Sequence, residues 1–361
     1  MKKFISFPFL IRLASTPFRT ILVGFLLMQI ISLFSGCGGL DLGFTKEGFE
    51  VVFANDRDKH VLATYEANHA TPLDIRSITT ISSEEIPEAE GIVGGPPCQS
   101  WSLAGAMRGL KDQRGQLFLE YVRVLRDKQP LFFVAENVPG MVSSTHVASF
   151  ERILEEFTKV GYSVTYQLMD ARNYGVPQER RRVIIVGYHH SLGRSFIFPK
   201  PSHNPAPTNG GLEWLTMRDA IGDLSDPVPA LDKNYPNPEA KQNHEYFIGG
   251  FSYIYMSRNR IRQWDQQSFT IQASGRHAPL HPDSTPMRRV TKDVMEFVDP
   301  NPSYRRLSVR EVARIQTFPD DFHFHYKNVN HGYKMIGNAV PVKLSQAVAR
   351  VIRDDLKSSH C

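Results

Sequence analysis

The sequence predicts an α/β protein built on a mostly parallel sheet. Three observations carry that prediction. Short apolar, β-branched runs alternate with stretches whose apolar residues recur at three and four, the rhythm of repeated strand–helix units. The first run ends in a glycine turn, Ser35-Gly36-Cys37-Gly38-Gly39. The polar residues of chemical interest then fall at the ends of the apolar runs, where open α/β sheets bind ligands.

The chain has 361 residues, enough for two domains. Its 41% hydrophobic and 22% charged content is that of an ordinary globular protein. A net charge of +5 permits a polyanionic partner without requiring one. Cys37, Cys98 and Cys361 are too few and too scattered for a disulfide framework or a zinc site. They predict a reducing, cytoplasmic setting.

Residues 1–27 are basic at Lys2, Lys3, Arg12 and Arg19 and apolar from Ile21 onward. The apolar run is short for a membrane span and has no small-residue cleavage site. We therefore expect an upstream extension, with no membrane segment, and a first strand complete from Met28. Residues 30–34 form that strand, and the glycine turn leads into helical spacing at 40–44. Strand, glycine turn and helix bring a backbone and a helix N-terminus close to a nucleotide-like ligand. NAD, FAD and S-adenosylmethionine all fit this pattern. A second strand, 50–54, ends at Asn55-Asp56, and Asp56 lies 20 residues beyond Gly36. That distance suits a carboxylate holding ribose hydroxyls.

A helix over 59–68 leads to a strand ending at Asp74. Gly91-Ile92-Val93 then closes on Gly94-Gly95-Pro96-Pro97-Cys98-Gln99. Two glycines turn the backbone and two prolines stiffen it, which presents Cys98 at a strand-end loop. A helix over 116–128 precedes an apolar strand, 131–135, which runs into Glu136-Asn137. A helix over 147–160, a strand over 163–169 and a strand over 183–187 follow, the last preceded by Gln178-Glu179-Arg180-Arg181-Arg182.

Beyond His189 the rhythm stops. Residues 199–238 are rich in Pro, Asn and Asp, and a basic stretch with interspersed aromatics follows. Such a region suits a nucleic-acid surface. His323 and His325 alternate with Phe322 and Phe324, which reads as two faces of an extended segment and not as metal ligands. A helix over 305–318 and a closing amphipathic helix over 342–356 complete the chain. No metal is expected.

Six motifs occur in order: Phe34-x-Gly36-x-Gly38, Pro96-Pro97-Cys98-Gln99, Glu136-Asn137-Val138, Gln178-x-Arg180-x-Arg182, the 305–318 helix and Gly337-Asn338-Ala339-Val340. This set resembles the DNA cytosine-5 methyltransferases from Met28 to Leu356. The region holding Asn243-His244-Glu245-Tyr246-Phe247 and Met256-Ser257-Arg258-Asn259-Arg260 is similar to the GGCC-specific methylases of HaeIII type. His277-Ala278-Pro279 departs from the more polar stretch expected there.

The resemblance implies a Rossmann-like S-adenosylmethionine-dependent methyltransferase fold. Residues 28–190, completed by 328–361, would form the catalytic domain, and 191–327 a smaller, loop-rich target-recognition domain. It implies methyl transfer from S-adenosyl-L-methionine to C5 of a flipped cytosine in double-stranded DNA, by a monomer partnered functionally with a restriction endonuclease. Cys98 is the implied nucleophile, since addition to C6 makes C5 an enamine carbon. Glu136 would serve ring N3, and Arg180 and Arg182 would fix the base carbonyl, Glu136 and the adjacent phosphate. Phe34, Gly36, Gly38, Asp56, Asp74, Asn338 and Val340 are the implied cofactor residues. Ser100 and Ser102 would close over the base. Arg258, Arg260 and Arg276 would read guanines, because a bidentate Arg is the strongest major-groove contact to that base. A nicotinamide or flavin enzyme would share the glycine turn but leave Cys98 and Glu136 without a task. An RNA cytosine substrate is less suited to the sizeable basic region.

Overall fold

A computed structural model describes residues 27–97, 113–207 and 210–358. In chain order come β1 (Met28–Leu33), α1 (Gly39–Lys46), β2 (Phe49–Asn55), α2 (Leu62–Asn68), β3 (Leu73–Asp74) and β4 (Gly91–Gly94). Then come α3 (Gln113–Lys128), β5 (Phe132–Asn137), α4 (Val147–Lys159), β6 (Tyr162–Asp170) and β7 (Arg181–His189). The strands form one sheet in the order β3-β2-β1-β4-β5-β7-β6. Strands β1 to β5 pair in parallel, and β7 runs antiparallel between β5 and β6. The predicted mostly parallel α/β sheet is present.

Alternate side chains explain why these runs are apolar throughout. Ile30, Phe132 and Val186 point into one core with Phe44 of α1. Their neighbours Ile31, Phe133 and Ile185 point into another, with Phe118 and Tyr121 of α3 and Phe157 of α4. A sheet covered on both faces cannot alternate apolar with polar. Reversal of the strand order between β1 and β4 opens a crevice at their carboxyl ends.

The rest of the chain is loop-rich, with α5 (Met217–Ile221), an antiparallel hairpin of Met287–Thr291 with Val294–Phe297, α6 (Val309–Ile315), α7 (Val329–Asn338) and α8 (Val342–Ser358). Helix α6 is shorter than the predicted 305–318. A capping box starts it, in which Ser308 N–H donates to Glu311 at 2.6 Å and the Ser308 hydroxyl accepts from Glu311 N–H. Thr317, at φ 62°, ends it. Helix α7 escaped the sequence reading because Gly332 and Gly337 weaken its pattern. Helix α8 returns to the sheet and lies on α1 with almost no gap. A Cβ at Gly43 would stand 2.3 Å from that of Ser345, whose hydroxyl donates to Leu40 O at 2.6 Å. Among the described residues no helix is long and apolar enough to cross a membrane.

Candidate active site

A cavity of about 420 Å³ occupies the crevice. Its walls come from the segments after β1 (Phe34, Gly36), β2 (Asp56, Asp58) and β4 (Gly95 to Pro97), from the last two residues of β5 (Glu136, Asn137), and from Asn338 and Val340. The glycine turn is shaped by left-handed backbone at Phe34, Gly36 and Gly38, with φ of 56°, 57° and 83°. The Gly36 N–H donates to one Asp56 oxygen at 2.9 Å and the Asp58 N–H to the other at 2.8 Å. Asp56 thus joins two strand ends and retains acceptor capacity towards the cavity. Burial raises its pKa against the pull of those two amides. Cys37, in the same turn, is buried, and its thiol is pushed up to about 12, so it is no nucleophile.

The opposite side of the cavity is organised by β5. Glu136 receives Arg182 Nε at 2.7 Å, both side chains being 12% exposed. Arg182 arrives because β7 pairs antiparallel with β5, setting Ile184 opposite Glu136. The Asn137 amide donates to Pro96 O at 2.9 Å, which ties the Pro-Pro loop to the strand that carries Glu136. A Cβ at Gly95 would lie 3.4 Å from the Glu136 carboxylate. The loop therefore passes directly over it. Cys98, Ser100 and Ser102 lie outside the described residues.

The rim holds groups the sequence reading missed. Lys334 of α7 pairs with Asp58 at 2.7 Å. The His60 and His331 rings stack at 4.1 Å. Burial would raise the Asp58 pKa, but hydrogen bonds from Lys334 and from the His60 amide hold it below the usual carboxylate value. Burial, with His60 and Lys334 nearby, lowers that of His331. Each pair joins positions more than 270 residues apart, and no local motif announces them.

Four expectations are corrected. Arg180 is fully buried and does not reach Glu136; its guanidinium donates to the carbonyls of Ile271, Gly337 and Ala339 at 3.1, 2.8 and 2.9 Å. Arg260 is also buried, over the Tyr255 ring, and donates to Tyr255 O and Ile254 O at 2.8 and 3.0 Å. Its donors hold the loop that begins at Ile254 and do not face outward. Asp74 does not line the cavity. Arg76 grips both its oxygens, at 2.7 to 3.2 Å, in a chelate two residues long that sequence spacing alone does not signal. Gly38 is likewise set back from the cavity, caps α1, and lies against His69. Arg258 and Arg276 are exposed, as are Tyr253 and Ile254 on the same loop as Arg258.

Comparison with known proteins gives the family. The profile of the family described as C-5 cytosine-specific DNA methylase matches residues 28–354. The Type II methyltransferase M.MthTI of Methanothermobacter thermautotrophicus is 54% identical over 91% of this chain and 98% of its own length. M.NgoPII of Neisseria gonorrhoeae, also a Type II methyltransferase, is 51% identical over 91% of this chain and 96% of its own. Among solved structures, a mutant DNMT2 of Spodoptera frugiperda has the same fold, with a TM-score of 0.65 over 90% of this chain and 99% of its own at 18% identity. From the six ordered motifs, the strand-end cavity and these matches, the chain belongs to the C-5 cytosine-specific DNA methylase family.

Proposed function

We propose that this protein methylates C5 of a cytosine flipped out of duplex DNA, using S-adenosyl-L-methionine, as the modification enzyme of a restriction–modification system. The observation that carries the reading is the Glu136–Arg182 pair, 2.7 Å apart, beneath the Pro-Pro loop at the cavity mouth. The Type II names of the relatives support the modification role.

The cavity suits the cofactor. It offers the Asp56 carboxylate for ribose hydroxyls, apolar walls at Phe34, Val61 and Val340, and the polar Asn338. When bound, the cofactor supplies an electrophilic methyl group. The protein's own residues do the rest. The Cys98 thiolate forms a bond to C6, and Glu136 supplies the proton or hydrogen bond that N3 needs as the ring loses its conjugation. Arg182 holds Glu136 and faces the base. After C5 accepts the methyl group, its proton leaves, the C5=C6 double bond reforms and the C6–S bond breaks, releasing the Cys98 thiolate. The base must leave the stack because a duplex hides both faces of the ring.

The target is the inner cytosine of GGCC, with Arg258 and Arg276 reading guanines. Residues 28–190 with 328–361 act as the catalytic unit and 191–327 as the recognition unit. The enzyme works as a cytoplasmic monomer alongside a cognate endonuclease. Incubation with S-adenosyl-L-methionine and GGCC duplex containing 5-fluorocytosine tests the mechanism, since after methyl transfer the fluorine at C5 cannot leave as a proton does. A covalent adduct is expected from the native chain and none from Cys98→Ala; an adduct on the variant would remove Cys98 from its role. Plasmid modified in cells should resist a GGCC-cutting endonuclease. Full cleavage, with bisulfite detection of methylcytosine elsewhere, would refute the target and leave the chemistry standing.

A further inference from the structure

Gln178, Arg180 and Gln316 are all fully buried, and together they form one hydrogen-bonded node. The Gln178 amide donates to Gln316 Oε1 at 2.9 Å, and its oxygen accepts the Ile271 N–H at 2.8 Å. Gln316 Nε2 donates to Ile336 O at 2.8 Å and to Ala339 O at 3.2 Å. Arg180 crosses the same space to Ile271, Gly337 and Ala339. Among the described residues no carboxylate bonds it, and its Nε is buried without a partner. Packing around the node is tight: a Cβ at Gly337 would stand 2.4 Å from the Gln272 backbone.

A buried guanidinium with no bonded counter-charge is a poor way to stabilise a core, since apolar side chains of like volume usually do better. What the node supplies is geometry. Arg180 precedes the strand that delivers Arg182 to Glu136, and residues two apart on a strand share a face. Two of the three carbonyls it grips, those of Gly337 and Ala339, belong to the segment whose Asn338 and Ala339, followed by Val340, wall the cavity.

We propose that Arg180, braced by Gln178 and Gln316, is a positioning residue that fixes the Asn338–Val340 wall of the methyl-donor cavity relative to the Glu136–Arg182 pair. The proposal rests on reading that cavity as the S-adenosylmethionine site. A lysine at 180 keeps the charge but cannot span three carbonyls in two directions.

The test is titration calorimetry of S-adenosylhomocysteine into the native chain and Arg180→Lys, with thermal unfolding and steady-state kinetics of each. A misplaced wall should raise Kd and the donor KM at least about tenfold. Non-specific duplex binding should stay at the native level, and the unfolding midpoint should remain well above the assay temperature. Native affinity in Arg180→Lys overturns the proposal. So does a loss no larger than the loss of folded protein, because that is all a structural role would give. If Arg180→Lys does not fold, Gln316→Met removes the neighbouring donors without stranding a charge. The same rise in Kd is then expected, and native affinity there also overturns the proposal. A native chain that binds no S-adenosylhomocysteine overturns the donor-site reading itself, and this inference with it.

Discussion

Glu136 is the acid of the proposed mechanism, and its surroundings give a sharp expectation. Glu136→Gln keeps a hydrogen-bonding group beside Arg182 but cannot yield a proton to N3. Loss of a positioned acid typically costs about 10²–10⁴ in rate. We expect kcat to fall within that range while S-adenosylhomocysteine affinity stays native; single-turnover methylation and calorimetry check both parts. The arginines divide just as clearly. Arg260→Ala should destabilise the fold around its loop by about 1–3 kcal/mol, since it orphans the carbonyls of Ile254 and Tyr255. Arg276→Ala should leave stability unchanged and cost roughly 1–3 kcal/mol of target discrimination. Urea unfolding, set beside methylation of matched and mismatched duplexes, separates the two. The sequence made Glu136, Arg182 and Asp56 legible because each ends or begins a strand. It could not sort Arg260 from Arg276. A charge is visible in one dimension, whereas the carbonyls that claim it appear only when the loop from Ile254 folds back.

At the scale of elements, the contact of α1 with α8 is the least forgiving. Gly43→Ala would put a Cβ 2.3 Å from that of Ser345 and 2.9 Å from the Gln346 amide, so the helices must part. Overpacking of this kind costs about 1–3 kcal/mol, to be read from the denaturant midpoint. A second contact joins α7 to the segment before α2 and is sensitive to pH. The depressed pKa of His331 means that the unfolded chain takes up its proton more readily than the folded one. Its contribution to stability is therefore complete above the ordinary histidine pKa and is lost as pH falls through the folded value. The charged ring faces Lys334 and His60, which oppose it, and Asp58, which favours it. His331→Phe keeps the stack on His60 and removes the titration. Its stability should vary less between about pH 5 and 7 than that of the native chain, in paired urea titrations. A steeper fall in the variant would mean that the folded chain binds this proton more tightly than the unfolded one, the opposite sign. The sheet strands were readable because burial on two faces makes apolar runs. Helix α7 was not, because what holds it is packing against Gln272 and Val309 at its two glycines.

For the molecule as a whole, the order of the chain is not the order of its assembly. The last helix belongs to the same core as the first strand: Leu344, Val348, Ala349, Ile352 and Leu356 are buried in one cluster with Ile30, Phe44 and Phe132. Burying a large aliphatic side chain is worth about 1.5–3 kcal/mol. Several of them together rival the roughly 5–15 kcal/mol that holds a whole domain folded. Removing residues 342–361 should therefore unfold the sheet itself, not merely the cavity wall that precedes α8. The ion pairs point the same way, since Glu47 beside α1 is held by Arg350 and Arg353 of α8 at 2.9 and 2.7 Å. The truncated chain should be insoluble or rapidly cleaved by protease at sites within 28–190. Supplying residues 328–361 as a separate chain during refolding should restore protection and the near-ultraviolet signal of the buried aromatics. A truncated chain that keeps a cooperative unfolding transition near the native midpoint would show that the sheet closes without its final helix.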